Sequence, residues 1–200
     1  MRRIGIWDLI GAIPKPPRKW WNEKEVGMEQ EARLNAKTGL YPQKMLESLL
    51  DGEILRAKRY PSPIALLLIG LSFDESPSPE IMESAHSYLT NILHTGLREV
   101  DMPGHYQGNY LIVMPESDAD GARNAAKRLV EKFQGKQVTR ELNEFGVSIC
   151  AGVAFHPGGD GITKDEMLSR ASAALWEAHR RGPRTLVEFD ELKDKRKKAQ

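Results

Sequence analysis

Residues 63–71, PIALLLIGL, are apolar at every position of a segment one strand long. With no polar face, this segment is either a buried central strand or a piece of core helix. Pro61, Pro63 and Gly70 at its ends favour the strand. Residues 147–155, VSICAGVAF, are a second buried strand of the same kind. Four other stretches repeat apolar residues at helical spacing. Residues 41–58 carry Met45, Leu46, Leu49, Leu50, Ile54 and Leu55, with Pro42 at a first-turn position. Residues 80–97 carry Ile81, Ala85, Tyr88, Leu89, Ile92 and Leu93, after a Ser/Pro/acid-rich loop at 72–79. Residues 118–133 carry Ala122, Ala125, Ala126, Leu129, Val130 and Phe133. A capping box at Thr163 and Glu166 opens the last helix, which runs to His179.

Residues 98–115, REVDMPGHYQGNYLIVMP, read as a helix end followed by a β-hairpin. The tight turn is expected at Gly108-Asn109, a pair that tolerates positive φ. A closing strand follows at 185–189. The order is α, β, α, β-hairpin, α, β, α, β, which makes an α+β fold with a mainly antiparallel central sheet flanked by helices. A polar segment of good helix formers at 25–35 reads as a lead-in helix.

The 200 residues suit one domain of about 150 residues plus extensions. With 29 basic against 28 acidic residues, net charge +1, no bulk attraction to nucleic acid is expected. The single Cys150 excludes an internal disulfide and fits a reducing compartment. No apolar run is long enough for a membrane span, and the N-terminus does not read as a signal peptide, so a cytoplasmic protein is expected. Residues 1–24 differ from the rest: an apolar cluster around Trp7 precedes PKPPRKWW. Two readings of this arm stay open. One is a packed strand or a solvated arm. The other is a docking peptide for a protein complex or a membrane surface, with Trp7, Trp20 and Trp21 as its anchors beside Arg18 and Lys19. Residues 191–200 read as a charged, solvated tail.

Several of these stretches resemble the GGDEF family, the diguanylate cyclases. Residues 35–40, NAKTGL, resemble its Asp-x-Leu-Thr-Gly-Leu. The hairpin resembles its Arg-x-x-Asp, strand, Arg-Tyr-Gly-Gly-(Asp/Glu)-Glu-Phe, strand, Pro. Residues 149–154 lie on its Val-Ser-Ile-Gly-Val-Ala strand, and residues 173–184, AALWEAHRRGPR, resemble the end of its last helix. The resemblance implies the palm-like nucleotide-cyclase fold and divides the chain into an arm (1–24), a lead-in helix (25–36), a degenerate GGDEF-like domain (37–190) and a tail (191–200). Family members hold two divalent metals with carboxylates, one at the end of the first strand and others in the signature turn, to neutralise charge during phosphoryl transfer. Here Gly70 and Ser72 stand at the strand end. Gln107, Gly108 and Asn109 stand in the turn, in a hairpin one residue shorter than the family's, with His105 in place of its strand Arg. The family's guanine-reading Asn and Asp have no match in residues 72–80. Asp74 and Glu75 are acidic but lie beyond the strand end. The implied expectation is a domain without catalytic residues or Mg²⁺, hence no enzyme. Gly158-Gly159-Asp160 only spells the signature's first letters and reads as a structural loop.

What the resemblance leaves in place is the family's inhibitory cyclic di-GMP site. Arg98 and Asp101 match its Arg-x-x-Asp, and Arg128, thirteen residues after Pro115, matches its second Arg. Guanidinium forks suit phosphate oxygens and guanine O6/N7, and a carboxylate accepts from guanine N–H groups. Arg128 lies off the apolar stripe of its helix, so its head is expected to reach solvent. The competing reading of Arg98 and Asp101 is a helix-end ion pair worth under about 1 kcal/mol. Two functions follow. In the first, an inactive domain serves as a cyclic di-GMP receptor whose output is ligand-promoted dimerisation or repositioning of the arm. In the second, a nucleotide-free scaffold docks through residues 1–24. The five histidines, His86, His94, His105, His156 and His179, show no metal spacing, and Cys150 reads as core.

Overall fold

The apolar run at 63–71 becomes the central strand of a five-stranded sheet. The computed structural model describes residues 34–135 and 140–192. In chain order the elements are α1 (Gln43–Arg59), β1 (Ile64–Ser72), α2 (Pro79–Gly96), β2 (Met102–Tyr106), β3 (Asn109–Pro115), α3 (Ala119–Phe133), α4 (Arg140–Glu144), β4 (Ser148–His156), α5 (Lys164–Arg181) and β5 (Leu186–Glu188). The sheet order is β2-β3-β1-β4-β5; all neighbours are antiparallel except β4 and β5, which run parallel.

Because strand side chains alternate between faces, β1 supplies two cores. Ala65, Leu67 and Ile69 pack with Ile81, Ala85 and Leu89 of α2 and with Ala122, Ala126 and Leu129 of α3. Ile64, Leu66 and Leu68 pack with Leu46, Leu50 and Ile54 of α1 and with Met167, Ala171 and Ala174 of α5. Gly152 on β4 lets α5 lie directly on the sheet: a Cβ there would come 2.6 Å from Ala171 O and 2.7 Å from Leu175 Cα. Helix starts are set by side-chain caps. Ser78, Asp118 and Thr163 accept from the backbone N–H groups of Ile81, Gly121 and Glu166.

The hairpin turn sits one residue earlier than the sequence suggests. Tyr106 pairs with Asn109, so the turn residues are Gln107 (φ 48°) and Gly108 (φ 77°). Gln107 is held in this left-handed conformation from both sides. Its N–H donates to Gln43 Oε1 at 3.1 Å, and its carbonyl accepts from Asn109 Nδ2 at 3.2 Å. β5 is shorter than the 185–189 expected, and α4 was not expected at all. Of the lead-in helix expected at 25–36, residues 34–36 are not helical. Asn35 Oδ1 accepts from the N–H groups of Lys37 and Thr38, an Asx turn that leads the chain to Tyr41. The Gly158–Gly159 loop is structural, as read. Gly158 lies against the backbone of Ser62, and Gly159 N–H donates to Ala57 O at 2.8 Å. The rest of the lead-in helix, the arm with Trp7, Trp20 and Trp21, and residues 193–200 of the tail lie outside the described residues. Among the described residues, no helix is long and apolar enough to cross a membrane.

Candidate functional site

The last turn of α2 brings Arg98, Asp101 and Arg128 to one place. Past Leu97 the chain makes a tight turn in which Asp101 N–H donates to Arg98 O at 3.1 Å. Asp101 Oδ2 accepts from Arg98 N–H at 2.8 Å and closes the turn. The other carboxylate oxygen, Oδ1, is buried and has no hydrogen-bond partner. Asp101 is 6% exposed. Burial pushes its carboxyl pKa up, opposed by the Arg98 N–H and by the charges of Arg98 and Arg128. A cavity of about 490 Å³ opens here, lined by Arg98, Asp101, His94, Gly39, Tyr41 and Leu34, among others. The Arg98–Asp101 contact is thus a backbone N–H to carboxylate bond, and among the described residues no ion pair engages the Arg98 guanidinium. Arg128 is exposed, but its head is engaged: Nε and Nη2 donate to Gly96 O at 3.2 and 2.8 Å.

The second group of sequence-selected residues lies at the far end of β1. Gly70 has no side chain, and two others fill its space. A Cβ at Gly70 would stand 2.5 Å from His179 Nε2 and 2.9 Å from Asn109 Oδ1. Burial pushes the His179 pKa down and so favours the neutral imidazole. Gln107 and Asn109 join His179, Tyr106 and Trp176 around a cavity of about 280 Å³. Ser72 pairs with Ser148 on β4, and Asp74 leans on Gly146. Among the described residues, no three His, Cys, Asp or Glu side chains converge to hold a metal ion. An imidazole and an amide at the strand end lack the carboxylate oxygens that Mg²⁺ requires, so the residues present do not fit the metals the resemblance implies.

Sequence reasoning did not assign His179 to this site, nor did it find a third cluster. His86 Nδ1 and Tyr110 OH hydrogen-bond at 2.6 Å, and His105 Nε2 meets Thr38 Oγ1 at 3.2 Å. The Tyr110 ring lies 5.7 and 5.3 Å from the two imidazoles. His105 and Tyr110 face each other across the hairpin, a pairing the turn expected at Gly108-Asn109 would have shifted to Gln107 and Tyr110. His86 arrives from α2 and had no sequence signal.

No protein-family model and no curated protein matches the chain. Solved structures do. The chain is similar to diguanylate cyclase SiaD from Pseudomonas aeruginosa, solved in complex with its activator SiaC, at 22% identity and TM-score 0.68. That match covers 82% of this chain and spans 65% of the SiaD chain. It is similar to the coiled coil and GGDEF domain of DgcB from Caulobacter crescentus, in complex with c-di-GMP, at 18% identity and TM-score 0.69, covering 83% of this chain and 90% of that one. It is also similar to the active GGEEF domain of a Vibrio cholerae diguanylate cyclase, at 19% identity and TM-score 0.65, covering 74% and 96%. The chain therefore has the GGDEF-domain fold, the α+β arrangement expected from the sequence.

Proposed function

We propose that this chain is a cyclic di-GMP receptor built on a GGDEF-type domain that does not synthesise the nucleotide. The observation that carries the reading is Asp101 Oδ1, a buried carboxylate oxygen with no partner, in a residue that lines a cavity together with Arg98. An unpaired buried acceptor costs about 1–3 kcal/mol. Guanine offers two adjacent N–H donors to such an oxygen, and binding relieves that cost. The exposed Arg98 guanidinium supplies a planar fork for phosphate oxygens or guanine O6/N7, and the Arg128 charge stands close enough to be felt at Asp101. The DgcB structure is itself a complex with c-di-GMP.

The strand end supports the absence of catalysis. Where the resemblance calls for carboxylates, His179 and Asn109 stand over Gly70, and no step of phosphoryl transfer is assigned to these residues. A cytoplasmic location is part of this reading, and the single Cys150 suits a reducing compartment. The output is ligand-promoted dimerisation or a response of residues 1–24.

Calorimetric titration of the full chain with cyclic di-GMP, beside an Arg98→Ala variant, tests the reading. Micromolar or tighter binding that the variant loses supports it. No heat and no thermal shift at high ligand sinks it, leaving a scaffold that docks through residues 1–24. GTP turnover in the presence of Mg²⁺ would overturn the inactive half on its own.

A further inference from the structure

Many lysines and arginines in the described residues face an acid. Lys37 meets Glu83, Arg56 meets Glu53 and Glu116, Arg123 meets Glu188, Lys164 meets Asp51, and Arg180 and Arg181 share Glu177. At the end of α2 the cations face backbone carbonyls instead. Arg128 and Lys132, four residues apart on α3, converge on consecutive carbonyls of that helix. Arg128 donates to Gly96 O, and Lys132 Nζ donates to Thr95 O at 2.9 Å. Arg98 stands just beyond. Among the described residues, none of these three side chains forms an ion pair with a carboxylate, so three full positive charges gather at one helix end. The helix C-terminus offers about half an elementary negative charge in return, and the Asp101 carboxylate, which both arginine charges reach, at most one more, so the cluster stays net positive.

Gly96 makes the convergence possible. A Cβ there would come 2.6 Å from Leu129 Cδ2, with Lys132 Cδ and Nζ each 3.8 Å away. α3 therefore closes onto the last turn of α2, and the Lys132 stem lies across it beside Arg128.

We propose that Lys132 is a fourth ligand-binding side chain of the Arg98/Asp101/Arg128 site, carrying its ammonium to a phosphate of the cyclic dinucleotide. The inference rests on the receptor reading above. The two α3 cations are held differently. A guanidinium has five N–H donors, and Arg128 spends only Nε and one Nη2 hydrogen on Gly96 O, so it can keep that bond and still present Nη1. Lys132 is tethered to Thr95, which is exposed, so water takes over the vacated carbonyl. The ammonium makes a charge-assisted bond to either oxygen, but a phosphate oxygen adds a full opposite charge where the Thr95 carbonyl has only a dipole, which drives the exchange. Arg128 is then a fixed edge of the site, and Lys132 is the arm that moves.

The test is titration of the full chain with cyclic di-GMP at several salt concentrations, comparing wild type with Lys132→Gln and Lys132→Arg. Gln keeps a donor for Thr95 O and removes the charge; Arg keeps the charge. The expected result is a loss of affinity of roughly three- to tenfold for Gln with a flatter salt dependence, near-wild-type binding for Arg, and an unchanged thermal midpoint for both. If the wild type binds and Lys132→Gln binds with the same affinity and salt slope, Lys132 only caps α2 and this inference is overturned while the receptor reading stands. If the wild type does not bind at all, both fall together.

Discussion

His179 Nε2 stands 2.5 Å from the point where a Cβ on Gly70 would sit, with Asn109 Oδ1 at 2.9 Å. A helix side chain thus occupies the space in which a strand-end carboxylate would project. Gly70→Asp is therefore expected to fail as a restoration of metal binding. The new side chain must displace an imidazole and an amide, at a cost on the order of 1–3 kcal/mol. Because the crowding atoms are the ends of side chains, His179→Ala should recover part of that loss in the double variant. Urea denaturation of the two single variants and the double variant closes the cycle. Additive losses would show that the two side chains do not compete for the space.

Gly152 and Gly52 should respond in opposite directions to the same substitution. At Gly152 a methyl group meets Ala171 O and the Leu175 backbone. Neither can rotate away, and α5 must lift off β4. Gly152→Ala should cost about 3 kcal/mol or more, at the upper end of overpacking effects. Gly52 lies inside α1 with nothing within 4 Å of its would-be Cβ. There Ala removes the backbone-entropy penalty of glycine, and the helix should gain about 0.5–1 kcal/mol. Thermal midpoints of the two variants check both signs.

The contrast between these glycines shows what was legible in the chain. The two-faced apolar runs placed β1 and β4 in the middle of the sheet, and the helical stripes of 80–97 and 118–133 matched α2 and α3 because each exceeds three turns. α4 has five residues and one buried side chain, Leu142, too little for any periodicity to register. The turn was misplaced by one residue because Gly-Asn satisfies the local rule, whereas Gln-Gly satisfies it only at Gly108. The choice is made by Gln43, which lies 64 residues away and bonds Gln107 N–H. Arg98, Asp101 and Arg128 could be selected by spacing, but the engagement of Arg128 with Gly96 O could not, since that bond exists only once α3 lies on α2. His179 is the clearest case: its spacing says last helix, and only the sheet beneath says strand-end plug.

Asp101 should trade stability for binding. Its carboxyl pKa is raised by burial, so between the unfolded value, about 3.9, and the higher folded value, the folded state holds the proton more tightly. Its contribution to stability is full below that window and is lost as pH rises through it. Asp101→Asn removes the ionisation and keeps an acceptor for Arg98 N–H. Near neutral pH the variant should equal or exceed the wild type in urea midpoint, and the difference should vanish at about pH 3, below the window. The same variant should bind cyclic di-GMP at least tenfold more weakly, because an amide cannot match the charged acceptor. A variant that is less stable at neutral pH would show that the carboxylate serves the fold rather than the ligand.

His86, His105 and His179 impose the opposite pH dependence. Burial lowers the pKa of all three, and the neighbouring His105 charge lowers His86 further. For a base with a depressed folded pKa, the unfolded chain binds protons first. The stability contribution is full above the unfolded value, about 6.5, and is lost as pH falls through the lowered folded value. Each histidine adds at most about 1.4 kcal/mol per pH unit to that slope. The His86–Tyr110 hydrogen bond joins α2 to β3 through a half-buried imidazole. Protonating His86 places a charge beside His105, with no carboxylate bonded to either ring among the described residues. Acidification from neutral pH should therefore weaken the contact of α2 with the hairpin before the sheet core opens. His86→Gln and His105→Gln should each flatten the dependence of urea midpoint on pH, and the double variant should flatten it most. Equal slopes in wild type and double variant would assign the acid sensitivity to His179 or to the carboxylates instead. Hydrogen exchange of the β3 amides at two pH values reads the pair's own effect locally, because His86 and His105 both contact Tyr110.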